Sequence, residues 1–158
     1  MPVTSNFMLN DDGNLNTFDY IEVGKYGVYV IRRSEEVLRV GESSSGLGRV
    51  IKGFKEPLRK ILRGKIRKNY MAYHWRVNYP KAQLYVDYFN LSATDFSDNY
   101  LRRALEAEIT FQFRISNRSW PREMSEIHFL ERLRQHTTVT SVTAAVLKNY
   151  GLVFNPNV

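Results

Sequence analysis

The chain has 158 residues, 43% of them hydrophobic and 13% aromatic, enough for one domain with a real core, and its formal charge of +7 favours a polyanionic partner, though it also fits solubility alone. It contains no cysteine, which excludes disulfides, thiolate metal sites and thiol nucleophiles. No apolar run reaches the roughly 18 residues of a membrane span, and the polar start MPVTSNFMLNDDGNLN is no signal peptide, so a soluble cytoplasmic protein without membrane contact is expected.

Residues 1–23 are rich in Asn and Asp and weakly periodic, which reads as an irregular N-terminal arm. Residues 26–32 (YGVYVIR) and 37–41 (VLRVG) are β-branched and aromatic, and the polar RSEE between them makes the turn of an antiparallel hairpin. ESSSGLG follows as a loop. From Arg49 the apolar residues Ile51, Phe54, Leu58, Ile61 and Leu62 recur at helical spacing, with a break expected before Pro57. Lys52, Lys55, Arg59 and Arg63 share the opposite face. Such a run is most often a solvated surface, but only Glu56 opposes it, which shifts the balance toward phosphate contact.

Residues 70–80 are aromatic and ambiguous between base-stacking and core, with core favoured. Residues 83–91 (QLYVDYFNL) read as a third strand. Residues 98–114 (DNYLRRALEAEITFQFR) read as a helix capped by Asp98, with Leu101, Leu105, Ile109 and Phe113 as its apolar stripe. After a turn over 117–121, helical segments are expected at 124–133 and 142–150. The result is an α+β fold: a small three-stranded, mainly antiparallel sheet flanked by helices, with additional N- and C-terminal elements.

With the hairpin turn centred on Ser34, Tyr29 faces Arg39 and Gly27 faces Gly41. Side-chain alternation then sends Val28, Val30, Leu38 and Val40 into the core and puts Tyr29 and Arg39 on the other face, where the glycines clear space beside the tyrosine. A phenol with a pKa of about 10 is a poor base at neutral pH, and a neighbouring cation favours its phenolate.

Gly27-Val28-Tyr29, then Arg39-Val40-Gly41, then Gly46-Leu47-Gly48-Arg49 at the head of a helix resembles the signature of the GIY-YIG nuclease superfamily, over roughly residues 24–121. The resemblance implies Tyr29 as general base, Arg49 as the holder of the scissile phosphate, and a glutamate on a later helix as ligand of one Mg²⁺ or Mn²⁺. Glu106, after Leu105 and three before Ile109, fits that glutamate better than Glu108. Asn117 and Pro121 resemble the closing Pro and Asn of the pattern in reversed order, so Asn117 joins Lys52, Lys55, Arg59 and Arg63 as an expected DNA contact. Arg39 stands where the family usually has its second tyrosine. Some restriction-endonuclease members resemble this in carrying a basic residue there, which implies a variant active site in which Arg39 positions the water or lowers the pKa of Tyr29.

As a whole, the resemblance implies a metal-dependent endonuclease that hydrolyses double-stranded DNA, of restriction or phage type, acting as a homodimer on symmetric sites. A non-catalytic nucleic-acid-binding protein that keeps the nuclease fold is the alternative, motivated by the missing tyrosine and the basic face. The chain would divide into an arm (1–23), a GIY-YIG nuclease-like core (24–121) and a C-terminal helical extension (122–158). Other constellations do worse. The 41–49 loop lacks the Lys and Ser or Thr of a Walker motif, and His74, His128 and His136 have no paired metal-ligand spacing and read as surface or packing residues.

Overall fold

A computed structural model describes residues 5–9, 15–20, 24–47, 50, 78, 84–124 and 126–158, the first two stretches through their backbone. Five strands form one sheet: β1 (Ser5–Leu9), β2 (Leu15–Tyr20), β3 (Gly27–Arg33), β4 (Glu36–Ser43) and β5 (Leu84–Asn90). Their order is β2-β1-β5-β3-β4, and each neighbouring pair is antiparallel. Among the described residues the helices are α1 (Ala93–Phe96), α2 (Asn99–Asn117), α3 (Glu131–Arg134) and α4 (Thr137–Lys148). The fold is α+β, and the three expected strands occupy one side of the sheet, with β4 at its edge.

The apolar stripe of α2 decides how helix and sheet meet. Leu105, Ile109 and Phe113 pack on Val28, Val30 and Val40 of the hairpin and Phe89 of β5, and Val146 and Leu147 of α4 close the same core. Fully burying side chains of this kind contributes about 1.5–3 kcal/mol each. Asp98 caps α2 as expected, accepting a bond from the Tyr100 amide at 2.7 Å. Beneath this core lies one charged group. Asp87 of β5 is buried and accepts from Arg32 Nε and from the Tyr150 hydroxyl, each at 2.8 Å. Burial, with Asp87 next to it, pushes the Tyr150 phenol far above its ordinary pKa.

Several expectations are corrected. Residues 1–23 are not an irregular arm throughout, because β1 and β2 pair with each other and β1 pairs with β5. Asn and Asp disfavour strands locally, but β5 offers β1 a row of backbone partners from more than 70 residues along the chain. In the hairpin, the two-residue turn at Ser34 and Glu35 and a bulge after Ile31 together slide the register by two residues. Tyr29 therefore faces Gly41, Gly27 faces Ser43, and Arg39 faces Ile31. A slip of two preserves the faces, so Tyr29 and Arg39 remain on one side as diagonal neighbours.

The bulge also exchanges residues in the core: Val37, rather than Leu38, joins Val28, Val30 and Val40. The Tyr29 face is not an outer face either, since Ile31, Val86 and Tyr88 beside it are all fully buried. Finally, residues 124 and 126–130 form no helix, and the expected segment is helical only at its end, in α3, because the chain just before it is bonded to the edge of β4. Glu123 donates its amide to the Leu38 carbonyl at 2.9 Å, and the Val40 amide donates to Met124 Sδ at 3.3 Å. Conversely, α4 starts at Thr137, five residues before the expected segment at 142. Its β-branched residues are poor helix formers, but Val139, Thr143, Val146 and Leu147 recur at helical spacing and are buried. No helix among the described residues is long and apolar enough to cross a membrane.

Candidate active site

The two glycines of the hairpin mark where two tyrosines cross the sheet. A methyl group placed on Gly41 would lie 2.3 Å from both Cζ and Oη of Tyr29, so the ring that starts on β3 lies over β4. One on Gly27 would lie 2.1 Å from the same atoms of Tyr88, whose ring starts on β5 and lies over β3. Any side chain at either position would displace a ring. Tyr29 is thereby laid across the edge strand.

At that edge Tyr29 meets charges from other elements. Burial raises the pKa of its phenol. The Arg39 guanidinium works the other way, through charge and hydrogen bonding, and Glu106 and Glu42 add to the rise. Glu106, on α2, is pushed up to about 7, first by burial and then by Glu42, with Arg39, Arg103 and His128 opposing. Tyr29, Arg39 and Glu106 therefore sense one another's charge although they come from β3, β4 and α2. Arg39 Nε is buried there with no hydrogen-bond partner among the described residues.

Glu42 is the member of this cluster that the sequence reading missed. Arg102, itself 5% exposed, donates Nε to Glu42 Oε2 at 2.9 Å and Nη1 to the carbonyls of Phe96 and Ser97 at 2.7 and 2.9 Å. Its guanidinium also sits 5.0 Å from the Tyr26 ring centroid. This clamp ties the start of α2 to β4 and fixes one carboxylate oxygen of Glu42. A lone Glu after a glycine carries no signal in sequence; its spacing to a buried arginine 60 residues on is set only by packing.

Glu108 takes no part. Its buried carboxylate accepts from Gln112 Nε2 and from Arg134 Nε, both at 3.2 Å, toward the C-terminal end of the chain. Asn117 is exposed at the last turn of α2, about 16 Å along the helix axis from Glu106, and stands apart from the cluster. Arg49, Lys52, Lys55, Arg59 and Arg63 lie outside the described residues. The loop that leads to them is ordered by Ser43, whose hydroxyl donates to the Gly46 carbonyl at 3.1 Å and accepts from the Ser45 amide at 3.3 Å.

The segment held on the β4 edge adds residues that no motif announced. With α2 it encloses a pocket of about 180 Å³ whose lining includes Glu106, Arg103 and His128. His136, by contrast, caps α4 through Nδ1, which accepts from the Thr138 amide at 3.3 Å.

The donor set suits a hard divalent cation, since Glu106 and Glu42 offer carboxylate oxygens and one or two carboxylates with water satisfy Mg²⁺. Among the described residues no group of three or more His, Asp or Glu is arranged as a complete metal cage. An α+β fold with an antiparallel sheet and a Tyr, Arg and Glu cluster on its edge strand is the class that fold and site define. Compared with protein-family models, with curated proteins and with solved structures, the chain matches none.

Proposed function

We propose that the protein is a metal-dependent endonuclease of GIY-YIG type that hydrolyses phosphodiester bonds of double-stranded DNA, of restriction or phage kind, working in the cytoplasm as a homodimer. The observation that carries this reading is the meeting of Tyr29, Arg39 and Glu106 on the edge of β4, with Gly41 leaving room for the tyrosine.

In this reading Tyr29 takes the proton of the attacking water. Burial holds its phenol protonated, and Arg39 is the neighbour that favours the phenolate, which is the service a cation renders in place of a second tyrosine. Arg49 holds a non-bridging oxygen of the scissile phosphate through its rigid fork of donors. Glu106, with Glu42 beside it, would hold Mg²⁺ or Mn²⁺. Such a cation polarises the phosphate and neutralises the leaving 3′ oxygen. Lys52, Lys55, Arg59 and Arg63 would contact the phosphate backbone, and Asn117 the DNA further along α2.

One observation favours a second reading, a non-catalytic nucleic-acid-binding protein with the same fold: the net effect of the site on Tyr29 is to raise its pKa, away from that of a good base. Plasmid incubated with the protein and Mg²⁺ or Mn²⁺ separates the two. The nuclease reading expects nicking or linearisation that falls at least about 100-fold in Tyr29→Phe and Glu106→Gln and persists in Glu108→Gln. Tight binding without cleavage by the wild-type chain selects the second reading.

A further inference from the structure

The pocket beside Glu106 is built by two parts of the chain that nothing in the motif connects. On α2, Arg103, Glu106 and Thr110 follow one another at three- and four-residue spacing and so share a face. Opposite them stand Met124, Ile127 and His128.

The opposite wall is fixed rather than loose. Met124 Sδ accepts from the Val40 amide at 3.3 Å and lies 3.9 Å from Thr110 Oγ1, so a single side chain is bonded to β4 and touches α2. Just before it, Glu123 is bonded to Leu38 across the edge of β4. His128 Nε2 lies 3.3 Å from Glu126 Oε1, with both side chains largely exposed, and its Nδ1 is left for another partner. The pocket thus has an apolar side, the Glu126 carboxylate paired with His128, and the nitrogen groups of Arg103 and His128, and it opens directly beside Glu106.

We infer that this pocket is a substrate subsite: it receives the nucleotide next to the scissile phosphate of a DNA strand, with Arg103 and His128 on its phosphate and Met124 and Ile127 against its sugar. The inference rests on the nuclease reading for where the scissile phosphate lies. A strand that presents a phosphate at Glu106 brings its neighbouring nucleotide into the space beside that residue. A deoxyribose is the apolar part of the backbone and a phosphate the anionic part, and the pocket offers Met124 and Ile127 to the one and the Arg103 guanidinium to the other. The C-terminal extension is then part of the substrate site, through Met124, Ile127 and His128.

The test measures binding of a 30-base-pair DNA duplex over a range of salt concentrations, with Ca²⁺ in place of Mg²⁺. Each phosphate contact contributes about 0.9 to the slope of log K against log salt for duplex DNA. Arg103→Gln should lower the slope by about 1 and weaken binding about 5- to 10-fold at moderate salt. His128→Gln should weaken binding several-fold, and Arg132→Gln, an exposed arginine outside the pocket, should change neither quantity appreciably. Circular dichroism of each variant checks that the fold is kept. A slope unchanged in Arg103→Gln, or lowered equally in Arg132→Gln, overturns the subsite. If the pocket variants behave as expected but the wild-type chain cuts no DNA with Mg²⁺ or Mn²⁺, the nuclease reading falls and the nucleotide subsite stands.

Discussion

Replacing Gly41 with alanine tests the geometry of the site without touching a charged group. A new Cβ would lie 2.3 Å from the end of the Tyr29 ring, where ordinary contact begins at 3.4 Å. The ring must retreat by about 1 Å, and overpacking of this kind costs about 1–3 kcal/mol. Against this stands a gain of about 0.5–1 kcal/mol, because alanine loses less backbone entropy than glycine in a strand. The balance is a loss of up to about 2.5 kcal/mol, read as a lower midpoint in urea denaturation.

Relief of the contact supplies the check on the cause. In Tyr29→Ala/Gly41→Ala the methyl group has nothing to strike, so the two changes together should cost about 1–2 kcal/mol less than the sum of the singles. Gly27→Ala should cost more than Gly41→Ala, since Tyr88 is fully buried whereas the tip of Tyr29 lies at the sheet edge. In the cleavage assay, a displacement of about 1 Å in the proposed base should lower the rate about 100-fold. Strict additivity in the double mutant would show that the Tyr29 ring does not lie over β4.

Two further outcomes follow from buried charge. The carboxyl of Glu106 is raised from 4.5 to about 7, so the native state holds this proton more tightly than the unfolded chain does. Its contribution to stability is complete below pH 4.5 and is lost as pH rises through about 7. A displacement of that size is worth at most about 3 kcal/mol, and about 1–2 after solvent screening. Denaturation midpoints of the wild-type chain should therefore fall between pH 5 and 7.5 by more than those of Glu106→Gln, and equal falls would refute the assignment. At Asp87, Tyr150→Phe removes a hydrogen bond to a buried carboxylate and should cost about 1–3 kcal/mol. Arg32→Met, which removes the charge partner, should cost more, and urea midpoints that reverse this order would refute the network.

Local pattern carried the parts of the fold where neighbours in sequence are also neighbours in space. The hairpin, the third strand and α2 with its Asp98 cap were legible because alternation, helical periodicity and capping are set within a few residues. The register of the hairpin was not, since a bulge leaves no mark on composition. The helix expected over 124–133 is present only at its end, in α3, for a related reason: Met124 looks like the start of an apolar helix face, but its sulfur is committed to β4, some 84 residues earlier.

The same division runs through the candidate site. From sequence alone came Tyr29, Arg39 and Glu106 as individuals, each typed by its chemistry and its place on a strand or helix, and the preference for Glu106 over Glu108. Tertiary structure decided that these three share one neighbourhood while Glu108 turns to Arg134. It also brought in Glu42 and His128, whose relation to Glu106 no spacing rule contains, whereas Arg103 lies one helical turn from it. The physical reason lies in the range of each effect. Side-chain alternation and helical pitch act over a few residues, whereas burial and Coulomb interactions depend on distances that exist only after β4, α2 and residues 121–124 and 126–128 have packed together.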